Sequence, residues 1–573
     1  MRSVIVNHLD LCVGCNRCIR VCPIEEANVA WAEPNGKVKV RVDNAKCIVC
    51  GLCLTACHHD SRHYQDDTEK FFNDLRIGTQ ISVFAAPAIR TNFHDYGQLL
   101  SLLRSMGVKK IYDVSLGADI CTWAHIRYIQ KNGPKPIISQ PCPAIVNYIL
   151  THKNELLKHL SPIHSPMLCT AIFMQKYEKV GTKIAALSPC VAKNHEFDAT
   201  GFVDYNVTFK KIQEYLKRNR ISMPMNSSGF DHYEAGLGSL YPMPGGLKEC
   251  VEHYIGKSLR IDKSEGVGIV YKALDEYAKQ PVSKLPAVFD VLNCLEGCNV
   301  GTGCGEHADI FEVNSKMDAL RQAAIKEDNV AYMDELFKKF DETLRLEDFI
   351  RHYTPAPVQA IHVTQQDIDA AWVSLSKFSQ AQKVFDCGAC GCDTCLEMAT
   401  KIAKGVNVPK SCPEKVQSDV DKEHAEAKVI LDNFLKSSEI VVNETSDIGC
   451  MIKGINEKMG EVTDAISSYN QMITDIERIS EKVNIISLNA SVEAAKAGRY
   501  GLAFDVVAKE IRNLAQSSAD SAARTKMASQ KANSAMETVN KSVRQINEKV
   551  HSSNEIIIEI SNNTKKLLHE QGG

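Results

Sequence analysis

Short apolar runs alternate with stretches of helical periodicity between residues 67 and 345. The runs that resemble strands are ISVFAAPAI, KKIYDV, PIISQ, KIAALS, GVGIVY and AVFDVL. Strands that alternate with helices are typical of α/β domains, in which neighbouring strands run parallel. This stretch therefore predicts an α/β domain with largely parallel sheets.

From residue 421 to the end, the apolar positions follow a heptad pattern. Glycine becomes sparse, no proline follows Pro413, and apolar side chains recur in alternating steps of four and three. The predicted seam contains Ile455, Met459, Val462, Ile466, Tyr469, Ile473, Ile476 and Val483, and Ser480 interrupts it. This region predicts a long coiled coil.

The composition is that of a globular protein, because 44% of the 573 residues are hydrophobic and 24% are charged. The net charge is -3 and no basic patch carries interleaved aromatic residues, so we expect no nucleic-acid partner. No run reaches the roughly 18 apolar residues of a membrane span, and the first residues lack an apolar signal core. We therefore expect a soluble, cytoplasmic protein without a membrane span.

Cysteine is abundant, with 22 residues in the chain. The cytosol keeps thiols reduced, so this number favours metal centres over disulfide bonds. Residues 1–66 contain two runs with the spacing C-x2-C-x2-C-x3-C, which resembles that of bacterial two-cluster ferredoxins. In such domains the fourth cysteine of each run binds the other cluster, and the clusters relay electrons. The resemblance implies two [4Fe-4S] clusters, one on Cys12, Cys15, Cys18 and Cys57 and one on Cys47, Cys50, Cys53 and Cys22.

A third group of cysteines lies in residues 346–420, after a polar connector that contains proline. Its spacing is C-x2-C-x4-C-x16-C, formed by Cys387, Cys390, Cys395 and Cys412. This resembles a small four-iron domain of redox and sensory proteins and implies one more [4Fe-4S] cluster. Cys392 lies inside the loop as a substitute ligand. Zinc is the alternative metal for this site and for the two N-terminal runs, because four thiolates also suit zinc.

The segment Val288–Cys304 places Cys294 and Cys298 four residues apart, directly after a strand-like run. Gly297, Gly301 and Gly303 would let the backbone approach a bulky group closely. Taken alone, the pattern equally fits a structural cysteine pair. Two upstream segments, SQPCPAIVNYI with Cys142 and LSPCVAKNHE with Cys190 and Lys193, change that interpretation.

The three segments together resemble the signature segments of iron-only ([FeFe]) hydrogenases. The resemblance implies that residues 67–345 form two α/β lobes with an active cluster, the H-cluster, in the cleft between them. Its [4Fe-4S] part would be held by Cys142, Cys190, Cys294 and Cys298. Cys298 would also bridge to a di-iron unit that carries carbon monoxide and cyanide. Lys193 would pair with one cyanide, since a buried ammonium needs an anionic partner, and Pro189 would lie against the other.

The chain departs from the family pattern along the proton path. Pro141 stands where active members carry a cysteine, and Ala124 and His125 stand where they carry glutamates. Ser188 and Leu292 replace methionines. A positioned acid typically contributes about 10²–10⁴-fold to the rate, so we expect slow turnover. His125 is either a substitute proton donor or a structural histidine.

The sequence IISLNASVEAAKAGRYGLAFDVVAKEIRNLAQSSADSA resembles the hairpin tip of methyl-accepting chemotaxis proteins. Residues 493–498 would approach the turn, with Gly501 just beyond it. A generic coiled coil explains the heptads of residues 421–573 equally well but does not explain the tip. The resemblance implies a homodimeric four-helix bundle that acts on a chemotaxis histidine kinase and its coupling protein.

The resulting hypothesis is a sensor of H2 or redox state that controls a receptor hairpin, with ferredoxin-like carriers as electron partners. One alternative is an efficient hydrogenase tethered to receptor arrays. Another is an iron–sulfur receptor that lacks the di-iron unit. Of the remaining cysteines, Cys121, Cys169, Cys250 and Cys450 are expected to be small buried residues, and Cys304 to be structural.

Overall fold

A computed structural model describes residues 3–232, 236–305 and 309–570. The chain divides into two compact units, Met1–Gln417 and Ser418–Gly573. None of the described helices is both long enough and apolar enough to cross a membrane.

The first unit begins with the two cysteine runs, which lie on short elements. These are β1 (Ile5–Asn7), α1 (Arg17–Arg20), β2 (Asn28–Ala32), β3 (Val38–Val42), α2 (Leu52–Ala56) and β4 (Arg62–Tyr64). β2 and β3 form an antiparallel hairpin, and β4 returns to pair antiparallel with β1. Each helix starts inside a cysteine run, after a residue with a left-handed backbone, Asn16 or Gly51. The two helices contact each other.

The body contains two parallel sheets, as the alternating pattern predicts. Its strands are β5 (Ile81–Ala85), β6 (Ile111–Asp113), β7 (Ile137–Ile138), β8 (Lys183–Ser188), β9 (Tyr205–Thr208), β10 (Ile261–Glu265) and β11 (Val288–Leu292). One sheet has the order β6–β5–β8–β9 and the other has the order β10–β11–β7, and all neighbours are parallel. The two sheets form the two expected α/β lobes.

Helices cover both sheets of the body. They are α3 (Thr68–Arg76), α4 (Ile89–Asn92), α5 (Tyr96–Ser105), α6 (Val114–Asn132), α7 (Pro143–Thr151), α8 (Pro166–Ile172), α9 (Lys193–Thr200), α10 (Phe209–Arg218), α11 (Gly246–Ile255), α12 (Val267–Lys279), α13 (Ile310–Ala324) and α14 (Glu327–Thr343). Helix α6 is the longest of these helices, and it packs against α8. It is buried along its first thirteen residues.

One predicted strand is wrong. The run GVGIVY lies at the start of helix α12, and the strand of this region is the preceding segment Ile261–Glu265. Gly266 has a φ of 84°, which turns the chain between the two elements. The strand itself reads IDKSE and lies at the edge of its sheet, so it shows no apolar run.

The connector after the body is ordered. The backbone N–H of Arg351 donates to the Pro162 carbonyl at 2.6 Å, and that of Ala356 donates to the Leu150 carbonyl at 2.9 Å. Three helices follow, α15 (Gln365–Ser374), α16 (Gln380–Lys383) and α17 (Cys395–Ala403). Trp372, Leu375 and Met398 form the core of this small domain together with its cysteines.

The second unit is a helical hairpin. Helix α18 (Pro413–Lys496) begins directly after Cys412, and a short turn at Gly498–Tyr500 leads into helix α19 (Leu502–Glu570). The turn lies where the sequence predicts it. A Cβ built on Gly501 would lie only 2.1 Å from the Ala494 carbonyl, so the closeness of the two helices requires glycine there.

The buried stripe of the hairpin differs from the predicted seam at Ser480. This serine is 4% exposed and continues the stripe, so the predicted interruption is wrong. Buried positions on α18 recur every seven residues at Ile452, Met459, Ile473, Ser480, Ser487 and Ala494, apart from the half-buried Ile466. They are small near the tip, like the buried Ala508, Ala515 and Ala522 of α19, because small side chains let two helices approach closely.

Candidate functional site

The three central cysteine segments meet because each follows a parallel strand. Cys142 comes after β7 and precedes helix α7, Cys190 comes two residues after β8, and Cys294 comes two residues after β11. Carboxyl ends of parallel strands are the usual position of sites in α/β domains. Cys298 opens a short helical turn beyond Gly297.

These four cysteines line one cavity. Much of the remaining wall is apolar and includes Pro141, Pro189, Met167 and Leu292. Lys193 contributes a charged group to the wall. The structure therefore brings together the predicted cluster cysteines, Lys193 and both prolines of the predicted site.

The chemistry of the thiols fits an iron–sulfur group. Burial raises the pKa of Cys190 to about 12 and that of Cys294 to about 11, and it also raises the pKa values of Cys142 and Cys298. Without a cationic partner, these thiols would be protonated at neutral pH. Binding of iron compensates the thiolate charges, and soft thiolates are the ligands that iron–sulfur clusters require. Their ligand roles stay a prediction.

Among the described residues, no three His, Cys, Asp or Glu side chains converge closely enough to hold a single metal ion. The central cysteines instead line the walls of a wide cavity.

Lys193 already has an anionic partner inside the protein. Its Nζ lies 2.5 Å from the Glu196 carboxylate, one turn along helix α9, and both side chains are buried. Lys193 therefore has an anionic partner inside the protein, and its pairing with a ligand in the cavity stays a prediction.

A second cation changes the charge balance beside the cavity. The Arg351 guanidinium donates to the other oxygen of Glu196 at 3.1 Å and is equally buried. Burial, followed by the charge of Arg351, lowers the pKa of the neighbouring His164 to about 4, so this histidine is neutral. Two cations thus share one carboxylate, and the Lys193–Glu196–Arg351 triad leaves a net positive charge that an anion in the cavity would balance.

Ser188 and His125 do not line the cavity. The Ser188 hydroxyl accepts a hydrogen bond from the Cys190 N–H at 3.2 Å and thereby orients the loop that carries the thiol. The His125 ring is fully buried in helix α6, with Nδ1 2.8 Å from the Cys121 carbonyl and Nε2 2.9 Å from the Ser161 hydroxyl. This placement favours a structural histidine.

The glycines of the central segment approach protein backbone. A Cβ on Gly297 would lie 2.1 Å from the Pro242 carbonyl, and a Cβ on Gly301 would lie 2.4 Å from the Pro189 carbonyl. Gly303 would collide with the same loop at Cys190. Gly301 and Gly303 thus let two cysteine loops pack together. Gly297 and Gly301 also line the cavity, so the expectation that they let the backbone approach a bulky group stays a prediction.

Four family models match successive parts of the chain. Residues 11–61 match the 4Fe-4S dicluster domain and residues 79–301 match the C-terminal domain of the iron only hydrogenase large subunit. Residues 385–414 match a putative Fe-S cluster, and residues 435–571 match the methyl-accepting chemotaxis protein signalling domain. The domain limits at residues 66, 345 and 420 stay predictions.

Similar proteins agree with these matches. Iron hydrogenase 1 of Clostridium pasteurianum is 23% identical over an alignment of 286 residues, and the match covers 36% of this chain and 50% of that protein. The chain thus spans about half the length of this relative. A putative sensory transducer protein of Acetivibrio thermocellus is 46% identical over 67 residues, or 12% of each chain. An [FeFe]-hydrogenase structure from Chlamydomonas reinhardtii has 16% identity and a TM-score of 0.38, and it covers 51% of this chain and 99% of its own.

The chain joins an iron-only hydrogenase domain to a chemotaxis receptor signalling domain.

In the dicluster domain, the structure places Cys22 as the predicted exchange of the fourth cysteine requires, and the two ligand sets stay predictions. The Cys50 thiol interacts electrostatically with Cys22, Cys47 and Cys53, so Cys22 of the first run lies with the second run. Cys50 also lines the cavity of the hydrogenase domain. The second cysteine set therefore lies directly beside the hydrogenase site.

Arg62 is a residue that the sequence pattern did not single out. It is 6% exposed, and its guanidinium donates to the Cys18 sulfur at 3.4 Å and to the Asn28 side chain at 3.0 Å. It also lowers the pKa of Cys53 through its charge, although burial raises that pKa overall. Arg62 thus supplies positive charge between the two cysteine sets. In the sequence, the only signal for this role is that Arg62 follows the second cysteine run closely.

In the small Fe-S domain, all five cysteines line one cavity of about 310 Å³. Cys392 is among them and its thiol is hydrogen-bonded to Cys390. Cys392 therefore lines the site together with the four cysteines of the motif, and it stays a possible substitute ligand.

The leftover cysteines divide into buried and exposed ones. Cys121, Cys169 and Cys250 are buried as predicted, whereas Cys450 is exposed on the hairpin, so that prediction is wrong. Heptad spacing alone did not show that its helix face points away from the seam. The Cys304 sulfur lies 3.4 Å from the Asn299 carbonyl and 3.6 Å from that of Cys298, which fits a structural role.

Proposed function

We propose that this protein is a cytoplasmic sensor in which the hydrogenase domain detects H2 or redox state and controls the chemotaxis signalling hairpin. The observation that carries the proposal is the central cavity, where four cysteines and Lys193 face one largely apolar space and Lys193 is linked through Glu196 to Arg351. The receptor hairpin belongs to the same chain.

The proposed ligands of the [4Fe-4S] part are Cys142, Cys190, Cys294 and Cys298, and Cys298 also bridges to the di-iron unit. When bound, this group supplies reversible cleavage of H2 into two protons and two electrons. The net positive charge of the triad would hold an anionic ligand such as cyanide at Lys193. The apolar walls lower the local dielectric, so the interaction between this charge and an anion is screened less than in water.

Turnover should be slow because the cavity wall lacks a suitable proton donor at two expected positions. Pro141 lines the cavity and has no ionisable group, and His125 is buried outside the cavity lining. Binding of H2 and a redox change of the cluster do not require a fast proton path. A sensor needs only these two events.

The electrons would first reach the dicluster domain, since Cys50 of its second set lines the cavity. Three [4Fe-4S] clusters outside the cavity, two in the dicluster domain and one in the small domain, complete the proposed cofactors. Ferredoxin-like carriers are the proposed external electron partners, and protons and H2 the small-molecule ones.

The output would be a hairpin dimer that acts on a chemotaxis histidine kinase through its coupling protein. Two of the eight predicted seam residues, Met459 and Ile473, are buried within one chain, whereas Ile455, Val462 and Tyr469 are more than 40% exposed. A second hairpin would cover these exposed positions and form a four-helix bundle. This supports a homodimer.

The test is an infrared spectrum of the fully matured protein with and without H2. We expect carbonyl and cyanide bands that shift when H2 is added, together with a low rate in a turnover assay with an artificial electron carrier. Carbonyl and cyanide bands that do not shift when H2 is added would indicate a redox sensor. Absence of bands after maturation would overturn the H-cluster and leave an iron–sulfur receptor, whereas fast turnover would favour the tethered enzyme.

A further inference from the structure

The small Fe-S domain is docked on the dicluster domain, and the contact joins two cysteine loops. Gly391 lies between Cys390 and Cys395, and Asn16 lies between Cys15 and Cys18. A Cβ built on Gly391 would lie 2.9 Å from the Asn16 carbonyl oxygen and 3.2 Å from the Asn16 Cβ. The backbones of the two loops are therefore in van der Waals contact.

Polar contacts hold the two domains in this position. Lys404 of the small domain bridges Glu25 and Glu26 of the dicluster domain, at 2.9 Å and 3.2 Å. The Ala30 N–H, in strand β2, donates to the Val406 carbonyl at 2.9 Å. This interface combines a partly buried ion cluster with a strand-like hydrogen bond, so it is a specific one.

The contact extends a series of neighbouring cysteine sets from the central cavity. Cys50 lines the cavity, and Cys53 of the same set interacts electrostatically with Cys18 of the first set. Cys18 in turn interacts with Cys12 and Cys15, which flank the loop that touches Gly391. The series ends at Cys412, whose carbonyl accepts the Val416 N–H in the first turn of helix α18.

We infer that the contact between the Asn16 loop and the Gly391 loop is an electron-transfer junction, through which the small domain takes electrons from the dicluster domain. The inference rests on the proposed function only for the origin of the electrons, which would be H2. At the junction, the iron–sulfur group of one loop is oxidised by one electron and that of the other is reduced by one. No bond forms or breaks and no proton moves.

This junction gives the small domain a defined place in signalling. An electron that arrives adds negative charge beside Cys412, at the N-terminal end of helix α18. Helix N-termini favour negative charge because their free N–H groups point outward. The small domain is thus an internal electron acceptor next to the output helix, in addition to any separate carrier.

The main test substitutes Gly391 and uses Gly78 as its control. Both glycines have a positive φ, 85° and 86°, but a Cβ added at Gly78, in the body, would meet no atom within 4 Å. Gly391→Val should separate the two loops, whereas Gly78→Val adds the same backbone strain outside both cysteine loops and outside the contacts that join the two domains. Iron content of both variants shows that their clusters assemble.

The readout is electron paramagnetic resonance of the chemically reduced full chain, which does not depend on H2. The wild type should show magnetic coupling between the small-domain cluster and a dicluster cluster, and Cys387→Ser should remove this coupling by removing one partner. Gly391→Val should lose the coupling and slow reduction of the small-domain cluster at least tenfold, and Gly78→Val should keep the coupling and the reduction rate of the wild type. Coupling that is absent from the wild type, or unchanged in Gly391→Val, would overturn the junction.

A charge reversal tests the interface without touching either loop. Lys404→Glu should weaken the coupling, and adding Glu25→Lys should restore part of it, whereas Glu26 is left unchanged because it also pairs with Lys46. Magnetic coupling that stays unchanged in every one of these variants would overturn the inference. The sensor proposal is tested separately by the infrared response to H2, so either can fail alone.

Discussion

Lys193 and Arg351 share the carboxylate of Glu196 beside the central cavity, and all three groups are more than nine-tenths buried. A buried charge that loses its partner is costly, because the low-dielectric interior replaces its hydration only through that partner. Arg351 lies in the connector that leads to the small domain, so one carboxylate joins the site to this connector.

Glu196→Gln should lower the unfolding free energy of the first unit by about 3–5 kcal/mol, the cost of breaking a buried ion pair. Thermal unfolding followed by circular dichroism measures the effect. Glu214→Gln is the control, because its pair with Lys211 is largely exposed and should contribute less than about 1 kcal/mol. Equal effects of the two substitutions would contradict the importance of the triad.

The same substitution has a defined pH dependence. Burial opposes ionisation of Glu196, but Lys193 and Arg351 outweigh it and hold its pKa below the ordinary value of 4.5. A lowered pKa in the folded state stabilises the protein above the unfolded pKa, and the effect is lost as pH falls through the folded pKa. The difference in melting temperature between wild type and Glu196→Gln should therefore be constant from about pH 8 to about pH 5.5 and shrink below about pH 4.5. A difference that shrinks near neutral pH would refute this assignment.

At the scale of elements, glycines decide where helices cross. A Cβ on Gly117, in α6, would lie 2.1 Å from the Thr170 hydroxyl and 2.2 Å from the Pro166 carbonyl. Because Pro166 and Thr170 belong to α8, the contact sets the distance between these two helices under the cavity.

Gly117→Ala should destabilise the first unit by about 1–3 kcal/mol through overpacking. Gly268→Ala, in helix α12, places its Cβ in open space and should be neutral or stabilising by up to about 1 kcal/mol. Chemical denaturation of both variants measures the difference. A neutral Gly117→Ala would mean that the crossing can relax.

The hairpin tip allows an equally matched pair. Gly501→Ala would collide with the Ala494 carbonyl, whereas Gly460→Ala in helix α18 meets nothing within 4 Å. We expect Gly501→Ala to increase hydrogen exchange around the turn, because the helices must separate there, and Gly460→Ala to leave it unchanged. Unchanged exchange in Gly501→Ala would show that the tip tolerates a wider separation.

At the scale of the molecule, the two units depend on iron to different extents. The predicted ligands belong to the cores of the first unit, for example Cys53 and Cys142 in one core and Cys395 and Cys412 in another. The hairpin of residues 418–570 contains Cys450 alone, which is exposed.

Removal of iron should therefore destabilise the first unit and leave the hairpin folded. Anaerobic chelation followed by hydrogen exchange should show lost protection in residues 11–61 and 385–414, with protection of residues 435–568 unchanged. Untreated protein kept under the same conditions is the control. Equal loss of protection in both units would contradict their independence.

Much of this architecture was predictable, because cysteine spacing and apolar periodicity are local properties. The parallel sheets, the hairpin turn and the positions of Cys142, Cys190 and Cys294 after strands agree with the sequence. The strand at Ile261–Glu265 was missed because an edge strand can be polar. Ser480 was misplaced because a small polar side chain fits a close helix contact that hydrophobicity does not report.

By itself, the sequence determined which residue types can bind iron, where the hairpin turns and where the chain departs from the proton-path residues of the family it resembles, since each depends on residue identity and spacing. Only the tertiary structure decided that Arg351 pairs with the carboxylate of Glu196, that Cys50 lines the central cavity and that Gly391 touches Asn16. Each of these contacts joins segments that lie far apart in the chain. They arise from packing of domains in space, which no local pattern encodes.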